Sequence, residues 1–230
     1  MHADEGADGF EKGLPMTEGA KTVLFGRFQD KPIRWRILDR VEGKALLLSS
    51  RVLDNRSFHN RKEPATWATC DLRQWLNGEF LELAFDPDQR ERIVESEIAD
   101  AGNSEYGTSG PAPTSDRIFC LSEAEVLRYC PTAAKRRAKA TDYACSQGAW
   151  QDNRGESDWW LRTPGSNHRS AIDVMEGCCF TAGWDIDTNR CGVRPALWLS
   201  IEDEKGNDCN DEEGDERVAE DRAHPGSDLL

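Results

Sequence analysis

The chain has 230 residues, 37% of them hydrophobic, and a formal net charge of -14. Length and apolar content suit one globular domain with tails, and apolar runs such as Ala45–Leu48 fall far short of the roughly 20 residues that span a bilayer. The charge is concentrated at the ends, net -4 over residues 1–19 and net -9 over 202–230, which leaves -1 for residues 20–201. No concentrated basic patch remains, and that argues against nucleic acid as a partner.

Residues 1–19 are rich in Gly, Asp and Glu and read as a disordered leader. The fold begins near Lys21. Thr22–Phe28, Ile33–Leu38 and Ala45–Ser50 are β-rich runs separated by Gln29-Asp30-Lys31-Pro32 and Glu42-Gly43, a spacing that predicts an antiparallel meander. Apolar and basic residues alternate over Ile33–Leu38, so one face of that strand is buried. Thr69 is placed to cap a helix carrying Leu72, Trp75 and Leu76, ended by Asn77-Gly78. A second short helix over Phe80–Phe85 stops near Pro87, and Arg90–Glu97 suits either helix or extended chain.

Residues 100–115 read as a loop and Asp116–Leu121 as a strand. Ser122 and Glu125 form a capping-box pattern for a helix over Glu123–Tyr129, which Pro131 stops. The basic run Lys135–Lys139 reads as a solvated turn or helix face. A short helix follows over Thr141–Ala149. Asp158–Arg162 and Gly192–Leu199 read as strands, and residues 202–230 as a disordered acidic tail.

Between Gly165 and Gly192 lie 26 residues that use fifteen amino-acid types, contain no Lys and hold three of the eight Cys. Gly177 and Gly183 punctuate them as hairpin-like turns. The stretch lacks the periodicity that packing selects. Exposed thiols are usually avoided, so Cys178, Cys179 and Cys191 here are unusual for a surface segment. None of the eight Cys forms C-x-x-C and only four His are present, so a structural metal site is not expected. No signal sequence is visible, and reduced thiols in a cytoplasmic protein are the simplest reading, with the cell surface as the alternative.

Three landmarks occur in order: Thr69-Cys70-Asp71-Leu72-Arg73-Gln74-Trp75-Leu76-Asn77 with Phe80, then Trp159-Trp160-Leu161-Arg162-Thr163-Pro164-Gly165, then Gly192-Val193-Arg194-Pro195-Ala196-Leu197-Trp198-Leu199. Together they resemble bacterial C-type-lectin-like domains related in fold to formylglycine-generating enzyme, among them the variable proteins of diversity-generating retroelements. The resemblance covers about residues 21–201, within a domain taken as 20–201. It implies an α+β, C-type-lectin-like fold with antiparallel sheets, hairpins and short flanking helices. It also implies a non-catalytic display protein without cofactor, whose C-terminal face is rewritten at template adenines and binds a protein or glycan.

On that resemblance the ligand-binding positions are Ser166, Asn167, His168, Arg169, Ser170, Asp173, Glu176, Cys178, Phe180, Ala182, Trp184, Asp185, Asp187, Asn189, Arg190 and Cys191. Trp184, Phe180 and Arg190 are its expected energetic anchors, because aromatic and Arg side chains carry most interface energy. Adenine replacement in an Asn codon ending in C yields residues such as Ser, His, Arg, Asp, Cys and Phe. It cannot yield Trp, Glu or Met, so Trp184, Glu176 and Met175 are fixed or come from another template codon.

Two alternatives use the same segment. An oxidase of the formylglycine-generating type would need Cys178 and Cys191 to converge on copper. A calcium-dependent lectin would use the alternating Asp185, Asp187 and Asn189, although the Glu-Pro-Asn and Gln-Pro-Asp tripeptides are absent. Arg162 and Arg194, together with Trp35, Trp75, Trp159, Trp160 and Trp198, read as scaffold rather than chemistry.

Overall fold

The computed structural model describes residues 20–201. The leader and tail expected to be disordered lie outside those residues. The architecture is mixed α+β, mostly antiparallel sheet with a few short helices. Strands β1 (Thr22–Phe28), β2 (Lys31–Val41) and β3 (Lys44–Ser49) form the expected meander. Its first turn is tight enough to hold both Gln29 and Asp30 at positive φ.

β4 (Asp54–Asn55) leads to α1 (Asp71–Trp75). The Cys70 side chain, not Thr69, accepts from the Arg73 amide and caps this helix. Asn77-Gly78 does not end it. The chain continues through one π turn, Leu76–Phe80, into α2 (Leu81–Ala84). Asn77 is held there because its amide donates to Arg73 O and Ile118 O and accepts from the Arg117 and Ile118 amides. A side chain that bonds neighbouring backbone in this way tolerates the irregular turn. The second helix stops near Pro87 as expected, at Ala84, and Pro87 itself begins the next one. It is the first residue of α3 (Pro87–Arg92), behind an Asp86–Gln89 capping box.

β5 (Ile93–Val94) and β6 (Ser96–Ile98) follow, so Arg90–Glu97 is partly helical and partly extended. The expected loop at 100–115 carries the small pair β7 (Gly102–Asn103) and β8 (Thr108–Ser109) and the start of β9 (Thr114–Asp116). Then come β10 (Ile118–Phe119), α4 (Glu123–Tyr129) with both halves of its capping box, α5 (Ala133–Arg136) and α6 (Asp142–Ser146). The last elements are β11 (Trp159–Pro164), β12 (Ser170–Met175), β13 (Cys178–Asp185), β14 (Gly192–Val193) and β15 (Ala196–Ser200).

One sheet runs β1-β2-β3-β15-β10, with β5 also paired to β15. A second, five-stranded sheet runs β13-β12-β11-β14-β4, with β11 and β14 parallel and the remaining pairs antiparallel, and β6-β9 and β7-β8 form two small two-stranded sheets. Trp35, Trp159 and Trp160 are fully buried in the core, and truncating such a ring costs about 3–5 kcal/mol. Trp198 departs from the expectation; it is half-buried at the edge of the core, with Lys44 Nζ 5.0 Å from its ring centroid.

Arg162 and Arg194 are buried, as expected of scaffold. Arg162 donates to both Glu125 carboxylate oxygens at 2.5 and 2.9 Å and to the carbonyls of Cys120 and Ala99. Arg194 lies 4.7 Å from the Trp159 ring centroid and donates to Ser49 O and Arg136 O at 2.9 Å each. Complete burial lowers its pKa to about 9.

Candidate functional site

The unpatterned stretch folds as the β12–β13 hairpin with the loops on either side, and β13 is an outer strand of its sheet. The turn is Glu176-Gly177, both at positive φ. A side chain at Gly177 would press on Ala133 O at 2.6 Å, so glycine is required there. The basic run is more than a solvated face, because it clamps this turn. Arg136 Nε donates to Gly177 O at 2.6 Å, and Arg137 Nε donates to Glu176 O at 3.1 Å and pairs with Glu156. Gly183 marks no turn. It sits within β13 at φ +73, between the paired positions Phe180 and Trp184, where the register with β12 shifts.

Phe180 and Trp184, four residues apart across this irregularity, lie with ring centroids 5.7 Å apart. Arg190 returns over them. Its guanidinium lies 4.7 Å from the Trp184 ring and 5.1 Å from that of Trp150, and Nη2 is 3.5 Å from Asp158 Oδ2. The three expected anchors therefore converge, half-buried rather than fully exposed. Trp184 Nε1 and Arg190 Nε are buried without a hydrogen-bond partner.

Beside the end of β13, Lys62, Arg169, Asp185, Ile186 and Asp187 line a polar cavity of about 150 Å³. Buried Ile186 fixes this loop. Its carbonyl accepts from the His59 amide at 2.8 Å, and its amide donates to Arg169 O at 3.0 Å. Asn167 Oδ1 accepts from the Arg169 amide, and the His168 ring contacts Ser109 O at 3.0 Å. Asn167, Arg169, Glu176, Cys178, Asp185 and Asn189 are exposed, while Ser166, His168, Ala182 and Asp187 are half-buried.

Three of the expected binding positions are not on the surface. Ser170, Asp173 and Cys191 are buried. Ser170 is turned into its own loop, where its hydroxyl bonds Asn167 O. Asp173 pairs with Phe180 on one side and Trp160 on the other. Cys191 directly precedes β14, which docks on β11 through Trp159 and Gly192.

Asp173 is the electrostatic singularity of the site. Neither of its carboxylate oxygens has a hydrogen-bond partner among the described residues. Burial, and then the charge of Asp158, push its pKa up to about 7, against the opposing influence of Cys191 and Arg190. Burial also raises Asp158, partly offset by Arg190. The Cys191 thiol is pushed well above the usual range by burial, then by Asp173 and Asp158, the reverse of what activates a nucleophilic thiolate. Among the described residues no three His, Cys, Asp or Glu side chains are grouped so as to hold a metal ion.

Asp158 and Trp150 belong to the site but were not among the expected binding positions. Asp158 was hidden in a strand motif read as frame, and Trp150 lies outside the unpatterned stretch. Among the described residues no helix is long and apolar enough to cross a membrane.

No curated protein and no solved structure matches the chain. Residues 42–201, which hold the whole hairpin site and all but the first two strands, match the family described as a domain of unknown function (DUF6273), and the chain belongs to that family.

Proposed function

We propose that this protein is a non-catalytic ligand-binding protein of C-type-lectin-like fold, a variable protein of a diversity-generating retroelement. Its recognition face comprises the outer side of the β12–β13 hairpin and its flanking loops. The observation that carries the reading is the convergence of Phe180, Trp184 and Arg190 beside the polar cavity at Arg169, Asp185 and Asp187. A clamped hairpin carrying aromatic and Arg anchors within a ring of exposed polar side chains has the organisation of a paratope on a rigid frame. The ligand is a protein or a glycan. Ser170, Asp173 and Cys191, being buried, are left out of the face.

Screening the protein on glycan and protein arrays should yield a ligand. Replacing Asn167, Arg169, Asp185 and Asn189 together by Ala should then abolish its capture. Thermal stability should change little, because exposed substitutions usually shift it by about ±0.5 kcal/mol each. Undiminished binding by that variant would refute the face. The retroelement reading has its own test in the surrounding DNA. A nearby repeat of codons 160–195 that differs only at adenines, beside a reverse-transcriptase gene, is expected; a locus with neither would remove it.

A further inference from the structure

A second, roomier cavity lies away from the hairpin, between β1, β2 and α6. It encloses about 480 Å³, within the range of small-molecule sites. Phe28, Ile33, Leu53 and Tyr143 supply much of its apolar lining, and Leu24 extends it as one of the few large apolar side chains that are exposed. Tyr143 packs edge-on against Phe28 with ring centroids 5.4 Å apart. Three cations, Lys31, Arg34 and Arg51, line the same space with one carboxylate, Asp142.

The register of the meander explains the arrangement. Leu24 pairs with Arg34 across β1 and β2, and Trp35 pairs with Ser49 across β2 and β3. Ser50, whose amide donates to Arg34 O at 2.8 Å, is the next residue in that row. Leu24, Arg34 and Ser50 therefore share one face of three adjacent strands, so an apolar, a cationic and a hydroxyl side chain stand in line. The Ser50 hydroxyl is buried against the cavity without a partner. Lys31 and Arg34 make no ion pair or hydrogen bond through their side chains among the described residues, and Arg51 is tied only through Nη1 to Ala140 O at 3.2 Å.

We propose that this cavity binds a small amphipathic carboxylate, with its apolar body on Phe28, Ile33, Leu53 and Tyr143 and its carboxylate on Arg34 beside the Ser50 hydroxyl. A planar guanidinium pairs a carboxylate through two parallel hydrogen bonds, and an excess of cations in an otherwise acidic chain selects an anion over a neutral analogue. The site is independent of the hairpin face.

Isothermal titration of the full chain with decanoate and with 2-naphthoate tests it, each against its alcohol, decanol or 2-naphthalenemethanol. The two acids distinguish an alkyl from an aromatic body. At least one acid should bind saturably, about tenfold or more tighter than its alcohol, since a charge-assisted bidentate pair is worth at least a decade in affinity. Arg34→Ala, at an exposed position, should weaken the acid about tenfold without changing the melting temperature. Leu24→Ala, which removes apolar lining without adding charge, should weaken acid and alcohol alike. The quadruple variant at Asn167, Arg169, Asp185 and Asn189 should bind the acid normally. Equal affinity for acid and alcohol, unchanged binding by a folded Arg34→Ala protein, or no saturation by either acid at millimolar concentration would overturn the proposal.

Discussion

Asp173→Asn should make the protein more stable at pH 8 and change it little, or weaken it slightly, at pH 5. The carboxyl is buried in the sheet beside Asp158, Arg190 and Cys191 and titrates near 7, against an ordinary value of 3.8. A carboxyl whose folded pKa is raised binds its proton more tightly in the native state than in the unfolded chain. Native stability is therefore greatest below about 4, falls as pH rises between the two values and levels off above 7. With those two values, linkage puts the loss at about 1.7 kcal/mol at pH 5 and about 4.3 kcal/mol at pH 8, a decline of about 2.6 kcal/mol across the interval. The amide removes that decline but leaves buried donors without acceptors, which costs about 1–3 kcal/mol at every pH. The net expectation is a gain of about 1–3 kcal/mol at pH 8. Urea unfolding of both proteins at half-unit steps from pH 5 to 8 measures the difference, with titrations common to both cancelling. A stability difference that stays flat across this range would refute the account, because it would mean that Asp173 is already ionised at pH 5 and paired by a group the geometry does not show.

Arg162→Ala should cost about 3–5 kcal/mol, because it strands Glu125 and Asp100 at a buried charge site, and denaturant unfolding will show it. The cysteines should separate into classes under iodoacetamide at pH 8. Cys178 is exposed and should react first, while Cys70, buried with its thiol pushed up to about 12, and Cys191 should stay protected until the protein unfolds. Mass spectrometry of the alkylated peptides reads the order, and early labelling of Cys191 would contradict its place under the hairpin.

The sequence was most informative where a local rule decides the structure. Alternation placed β2, and the Ser122–Glu125 pair placed α4, because each signal acts over a few neighbouring residues. Asn77-Gly78 misled for the same reason: it is ambiguous locally. Asn77 remains in a helical stretch because of carbonyls and amides at Arg117 and Ile118, some forty residues distant in the chain. The three anchors were recognisable as large aromatic and Arg side chains without a packing period. The burial of Asp173 and Cys191 was not, since it depends on residues 186–191 returning across the hairpin to Asp158 and Trp150. No spacing within the segment encodes that return.

The position of β15 has a consequence for how the chain is made. The last strand described is central, with Ala196 to Ser200 paired along β3, Trp198 against Val94 and Leu197 against Ile118. On the ribosome the first three strands emerge early, yet the edge at Leu46–Leu48 has no neighbour until a strand synthesised about 150 residues later arrives. An apolar strand left with bare amides and carbonyls for that interval invites pairing with another nascent chain. Truncation anywhere before Ala196 removes the centre of the sheet rather than trimming its rim. Shortened fragments should therefore aggregate through β3, and chaperone dependence should fall abruptly when β15 is released rather than decline steadily as synthesis proceeds.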